Sequence, residues 1–185
     1  MATIFATTVQ PTKLELLTRW LPQQPWWLGG DRPARLTRAG GFRLDDPAGE
    51  VGIEFLFVSD VHDGQQVTYS VPLGYRGAPL AGAEHALVGT TLHGVLGRRW
   101  VYDGEHDPVV TAALDAFVAG RAAAQHQDRS DTPDPSVTYA GAPGRPWGAE
   151  LVRVLRGQPP ATGQVQAGWS LPDGTTVRGP VALVR

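Results

Sequence analysis

The chain contains no cysteine, which removes disulfides, thiol nucleophiles and cysteine-ligated zinc at a stroke. It has no asparagine either, and Lys13 is its only lysine among 16 basic residues. Those two absences exclude the usual phosphoryl-transfer apparatus, which asks for a strand lysine on the phosphates and an asparagine beside the metal. No G-x-x-x-x-G-K-[ST] run supplies a phosphate cradle, and no H-E-x-x-H pair supplies a metalloprotease site. None of the serines lies in G-x-S-x-G, because Gly168-Trp169-Ser170-Leu171-Pro172 fails at its last position. No apolar run approaches the roughly 20 residues that would cross a bilayer. A net charge of -2 provides no basic field for nucleic acid or an anionic membrane. The N-terminus lacks a basic region followed by an apolar core, so a cytoplasmic location is expected.

What is present is a turn-rich chain of 185 residues with 23 glycines and 16 prolines. Its most legible stretch runs from residue 87 to residue 126. A strand ending in Trp100-Val101-Tyr102 turns at Asp103-Gly104 and enters a helix predicted over 108–125. Asp107 is placed to cap that helix, and Pro108 suits its first position, where a missing N–H costs nothing. Val109, Val110, Ala113, Leu114, Phe117 and Val118 then form one apolar stripe of helical period. Upstream, Thr12 is placed to cap a helix over 13–21 that Pro22 ends. Residues 42–102 read as an antiparallel sheet. Val51, Ile53, Phe55 and Phe57 share one face of its clearest strand, and apolar Leu56 and Val58 on the other face predict cover on both sides. Asp63-Gly64 and Asp173-Gly174 are hairpin signals. Residues 127–146 read as a polar linker, and strands are expected over 149–156, 164–170 and 175–184. The division expected is 1–126, 127–146 and a β tail over 147–185 that packs on or extends the sheet.

Few residues suggest chemistry. Trp20, Trp26 and Trp27 can form an aromatic platform for a sugar or a partner chain, although plugging the helix onto the sheet is the reading preferred. Asp60, His62 and Asp63 have metal-ligand character, but turn chemistry explains the same residues without a metal and is the reading preferred. His93 lies near Gly89, Gly94 and Gly97, where a ligand or backbone could approach, and a hydrogen-bonded core histidine is preferred. Asp103, Glu105, His106 and Asp107 form the densest ionisable cluster, but the turn, the cap and the helix dipole account for its acids. No metal, cofactor or catalytic residue is assigned.

Several of these stretches resemble a known family. Trp20-Leu21-Pro22-Gln23-Gln24-Pro25-Trp26-Trp27-Leu28-Gly29-Gly30 is similar to the W-L-P-x-Q-R-W-[FY]-x-G-K opening of the N-terminal cap of actinobacterial maltokinases and related aminosugar kinases. It departs at Pro25 and Gly30, where the cap has basic residues. Trp100-Val101-Tyr102-Asp103-Gly104 through Asp107-Pro108 resembles the Y-D-x-x-x-D-P step into the cap's last helix. Phe42-Arg43-Leu44-Asp45-Asp46-Pro47-Ala48-Gly49-Glu50-Val51-Gly52-Ile53-Glu54 and Leu96-Gly97-Arg98-Arg99-Trp100 resemble small stand-alone cap-like proteins. The resemblance spans about 14–125. It implies an α+β fold in which helices pack on a curved antiparallel sheet, cystatin-like, with a C-terminal β-hairpin added. It also implies an end where a kinase core binding ATP, Mg²⁺ and sugar would begin, so it carries over no catalytic residue.

Three functions follow as expectations. The first is a non-catalytic module binding a sugar kinase or an enzyme of α-glucan, trehalose or aminosugar metabolism through the tryptophans and a sheet edge. The second is a small-ligand or carbohydrate-binding protein using the same tryptophans with His93 or Arg99. The third is a kinase-associated subunit or cryptic enzyme using Asp103, His106 and Asp107.

Overall fold

The computed structural model describes residues 9–62, 64–141 and 149–184. β1 (Val9–Gln10) leads into α1 (Lys13–Trp20). Thr12 caps α1 through a reciprocal pair: its hydroxyl accepts from the Glu15 amide, and the Glu15 carboxylate accepts from the Thr12 amide. A single 3₁₀ turn, Leu21–Gln23, follows at Pro22.

The main sheet then builds from β2 (Leu36–Leu44), β3 (Gly52–His62), β4 (Gln65–Arg76), β5 (Leu87–His93) and β6 (Gly97–Asp103). β2 is six residues longer than the Phe42–Leu44 strand expected from sequence. A bulge between Arg38 and Gly40 lets the Arg-rich stretch stay paired with β3 while twisting, and two successive glycines of positive φ accommodate it. β3 and β4 pair from Gly52↔Tyr75 to His62↔Gln65 and close on Gly64, at φ +76°. Asp63 of the expected turn lies outside the described residues.

After β6, α2 (Pro108–Val118) starts at the Asp107 cap. It ends seven residues short of the predicted boundary, because Gly120 turns into the left-handed region at φ +71° and the Arg121 amide donates back to the Ala116 carbonyl. β7 (Gln125–His126) adds to the free side of β2. β8 (Thr138–Ala140), β9 (Ala149–Leu151), β10 (Val154–Leu155), β11 (Gln164–Ser170) and β12 (Thr176–Val184) complete the chain.

The larger sheet has the order β1-β5-β6-β4-β3-β2-β7, with β10 also on β4, and the smaller has β8-β11-β12-β9. Every pairing between named strands is antiparallel. The fold is mixed α+β, as expected. The expected strand 149–156 is broken: β9 joins the small sheet and β10 the large one. The stretch read as linker also carries β8 and places Val137 in the core.

Two apolar layers flank the large sheet. On one face Phe42, Ile53, Phe55 and Phe57 meet Val110, Ala113, Leu114 and Val118 of α2 and Val165, Trp169 and Val181 of the small sheet. On the other, Leu56, Val58, Tyr69, Val71 and Leu73 meet Leu16, Leu17, Trp20 and Leu21 around α1. β3 is therefore covered on both faces, as its unbroken apolar run predicts. Among the described residues no helix is long and apolar enough to cross a membrane.

Candidate functional site

The strand-to-helix corner buries Asp103, Asp107 and Arg153. Asp107 is fully buried. Its Oδ1 accepts from the Val109 amide at 2.9 Å, which is the predicted cap. The same carboxylate takes a two-pronged contact from Arg76, Nε to Oδ2 at 2.7 Å and Nη2 to Oδ1 at 2.6 Å. Those hydrogen bonds, with the Asp107 charge, push the Arg76 pKa further up against the cost of burial. Gly74 makes the approach feasible, since a Cβ there would lie 2.5 Å from Asp107 Oδ2. Gly104 is held equally close, with the site of a Cβ 2.7 Å from Val110 Cγ1.

A few ångströms on, Arg153 reaches the corner from the C-terminal segment. Its Nη2 donates to Asp103 Oδ1 and Oδ2 at 2.9 and 2.7 Å and to Glu105 Oε2 at 2.5 Å. Its guanidinium sits over the Trp26 ring, 5.0 Å from the centroid. Asp103, Glu105 and His106 place ligand atoms within 4.8 Å of one another, as a metal site would require. Arg153 already supplies the positive charge for both carboxylates. His106 packs edge-on against His85 at 4.7 Å. The corner is thus a set of charge pairs.

A second polar knot was not visible in sequence. Glu54 is buried in β3 and accepts from Lys13 Nζ at 2.6 and 2.8 Å, from Tyr75 Oη at 2.7 Å and from Gln127 Nε2 at 2.7 Å. Burial works to raise its pKa, but the Lys13 charge and these hydrogen bonds together hold it below the ordinary value. Tyr75 is pushed well up by its own burial and by the Glu54 charge. Gln127 reaches Glu54 past Gly41, where a Cβ would meet the Phe55 carbonyl and lie 2.7 Å from Gln127 Nε2. The sole lysine thus ties α1 to the middle of the sheet. Asp60 plays a similar part for the Arg-rich loop, holding the Arg32 guanidinium and accepting from the Arg35 amide at 2.8 Å.

The three tryptophans do come together. Trp20 meets Trp26 edge-on at 5.8 Å, and Trp27 stacks on Tyr69 at 5.3 Å. Trp20 and Trp27 are buried, Trp27 donates its indole N–H to the Gly30 carbonyl, and Tyr69 Oη accepts from the Leu28 amide. Their rings are spent on packing α1 and the following turn against β4. Only Trp26 keeps a partly open face.

His93 and Arg99 are separate from that cluster. His93 ends β5 at a hairpin tip, where its Nδ1 accepts from the Val95 and Leu96 amides at 3.3 and 3.1 Å. Partial burial and then the Arg99 charge lower its pKa. Arg99, on β6, pairs in register with Thr91. Around them the tip exposes Leu92, Val95 and Leu96, at 61%, 61% and 43% of their full surface. No carboxylate residue occurs between Glu84 and Asp103, while Arg98 and Arg99 lie beside the tip.

The model of the maltokinase N-terminal cap domain matches residues 20–107. Residues 20–107, called the cap segment below, are thus similar to that domain. The cap segment therefore contains the tryptophans, β2 to β6, the hairpin tip and Asp103 and Asp107. Nearly all of α1, α2, the small sheet and Arg153 lie outside it. The matched model describes a cap and not a catalytic domain. No curated protein and no solved structure matches the chain.

Sequence reasoning found the cap and the corner but missed Arg76, Arg153, Glu54 and the exposed tip. One signal was available for Arg153. It is a lone charge inside the apolar run Leu151-Val152-Arg153-Val154-Leu155, and such a residue needs a buried counter-charge. Leu92 to Leu96 reads as a strand and turn, and only the three-dimensional arrangement shows that Leu92, Val95 and Leu96 are exposed.

Proposed function

We propose that this chain is a non-catalytic cap module that docks on a partner protein, a sugar kinase or an enzyme of α-glucan, trehalose or aminosugar metabolism. The observation that carries this reading is the hairpin tip: Leu92, Val95 and Leu96 stand out together from the cap segment. Such a cluster has the make-up of a contact centre, and the adjacent arginines suit a partner with acidic residues at the rim. The burial of Trp20 and Trp27 turns the reading away from an aromatic sugar platform and moves the contact from the tryptophans to the tip. α1 lying across a long curved antiparallel sheet supports a cystatin-like description of the cap, and a cytoplasmic setting fits such a partner.

A photo-crosslinking residue placed at Val95 tests this. In native extract it should trap one predominant protein, identified by mass spectrometry as a sugar kinase or glucan-metabolising enzyme. The variant Leu92→Ser/Val95→Ser/Leu96→Ser should lose that protein without losing its cooperative melt. A thermal-shift screen with maltose, trehalose, glucosamine and ATP–Mg²⁺ should be flat, whereas a ligand at 100 times its Kd would add about 2.7 kcal/mol. Retention of the partner by the triple variant, or a clear shift with a sugar, would overturn the proposal.

A further inference from the structure

β4 has an unusual edge. One side pairs with β3 along its whole length, but the other is shared by two segments. β6 covers Leu73 to Arg76, and the C-terminal β10 covers Thr68 and Tyr69. The Ser70 amide donates to the Arg153 carbonyl at 2.9 Å, so Ser70 and, two residues on, Pro72 face this edge. Pro72 has no N–H to offer where the two covering segments leave a gap.

We propose that this edge is a strand-accepting groove of the cap, specific for an extended segment carrying an arginine between apolar residues, and that residues 152–155 fill it in cis. Three independent contacts read the segment. The main chain adds to β4 in antiparallel register, Val154↔Tyr69 and Leu155↔Thr68. Leu155 is buried in the core. The Arg153 side chain, only 9% exposed, is held by Asp103 and Glu105 and covered by Trp26. The residues that hold the Arg153 side chain (Trp26, Asp103, Glu105) and the β4 residues that pair with the segment (Thr68, Tyr69) lie within 20–107, whereas the segment itself lies outside and is also tied to β12 through the Val152 amide on the Val181 carbonyl.

The cis fit is incomplete. All three carboxylate contacts come from Nη2, and the buried Nε and Nη1 have no hydrogen-bond partner among the described residues. Buried donors without acceptors weaken an occupant. A partner segment whose own arginine takes the place of Arg153, with its Nε and Nη1 satisfied by carbonyls of that same segment, would displace the cis strand. This groove is distinct from the hairpin tip, so either proposal can fail alone.

The test uses the full chain and a labelled nine-residue peptide with the sequence of residues 149–157. Arg153→Asp sets a third carboxylate against Asp103 and Glu105 and should eject the cis segment. Hydrogen exchange at 68–70 should then rise at least tenfold while the cooperative melt persists. The variant should bind the peptide, a peptide with alanine for its central arginine should bind at least tenfold more weakly, and wild type should bind neither. If Arg153→Asp does not melt cooperatively, Arg153→Ala carries the same expectation with a smaller rise in exchange. Unchanged exchange, an opened groove that ignores the peptide, or equal binding by wild type would each overturn the proposal. A tail-swapped dimer on size exclusion would assign the groove to a second copy and overturn it too.

Discussion

Replacing Asp107 by alanine removes two things at once, and their sizes can be worked separately. The side chain caps α2 through the Val109 amide, a contact worth about 1 kcal/mol. It also neutralises Arg76, whose side chain keeps only 18% of its surface. Leaving one member of a buried pair without its partner costs roughly 3–5 kcal/mol, and the residual solvent at Arg76 favours about 3. The sum is about 4 kcal/mol. In a chain of this size each kcal/mol lowers Tm by roughly 2–4 °C, so Asp107→Ala should melt about 8–16 °C lower. Asp107→Asn keeps a capping oxygen but not the charge, so it should recover about 1 kcal/mol of the loss. Thermal unfolding followed by circular dichroism measures both, and the double variant with Arg76→Met isolates the pair. A drop below about 3 °C for Asp107→Ala, or equal costs for Ala and Asn, would refute the reasoning. The first result would mean that water replaces the pair freely, and the second that the cap contributes nothing.

Two further outcomes follow from the buried carboxylate and the glycines beside it. Gly41→Ala and Gly74→Ala should each destabilise by about 1–3 kcal/mol, because a methyl would press on the Phe55 carbonyl and Gln127 at a positive φ in one case and on Asp107 in the other; urea unfolding measures this. Glu54 has a folded pKa below its ordinary value, so its stabilisation is complete above the unfolded pKa of roughly 4.3. That contribution disappears as pH falls through the lower folded value, and Glu54→Gln should flatten the acid limb of a stability–pH curve while leaving the slope above pH 6 unchanged.

The elements that could be read from sequence are those whose cause is local. The Thr12 cap of α1, the Asp107-Pro108 start of α2 and the Asp173-Gly174 turn each need only neighbours in the chain. The double-sided burial of β3 was equally plain, because Leu56 and Val58 break the alternation of a half-exposed strand. The end of α2 was missed because Ala122, Ala123 and Ala124 continue a helix-favouring composition past Gly120, and the glycine's left-handed conformation decided the matter. The candidate site was harder. Lys13 with Glu54, Arg76 with Asp107 and Arg153 with Asp103 join residues 41, 31 and 50 positions apart. No periodicity marks such partners. The aromatic cluster was legible as a cluster, but which of its rings remained open depended on Tyr69, a residue of a distant strand.

The divided edge of β4 has a consequence for synthesis. The whole of the cap segment has been made once residue 107 is joined, yet Thr68 and Tyr69 receive their second neighbour only with Val154 and Leu155. At roughly 5–20 residues per second, the 48 residues between 107 and 155 take about 2–10 s to add. During that interval the nascent sheet presents a bare strand end, together with the apolar face that β11 and β12 later cover. That is the period in which the growing chain is most open to capture by a chaperone or to pairing with its neighbour on the same messenger.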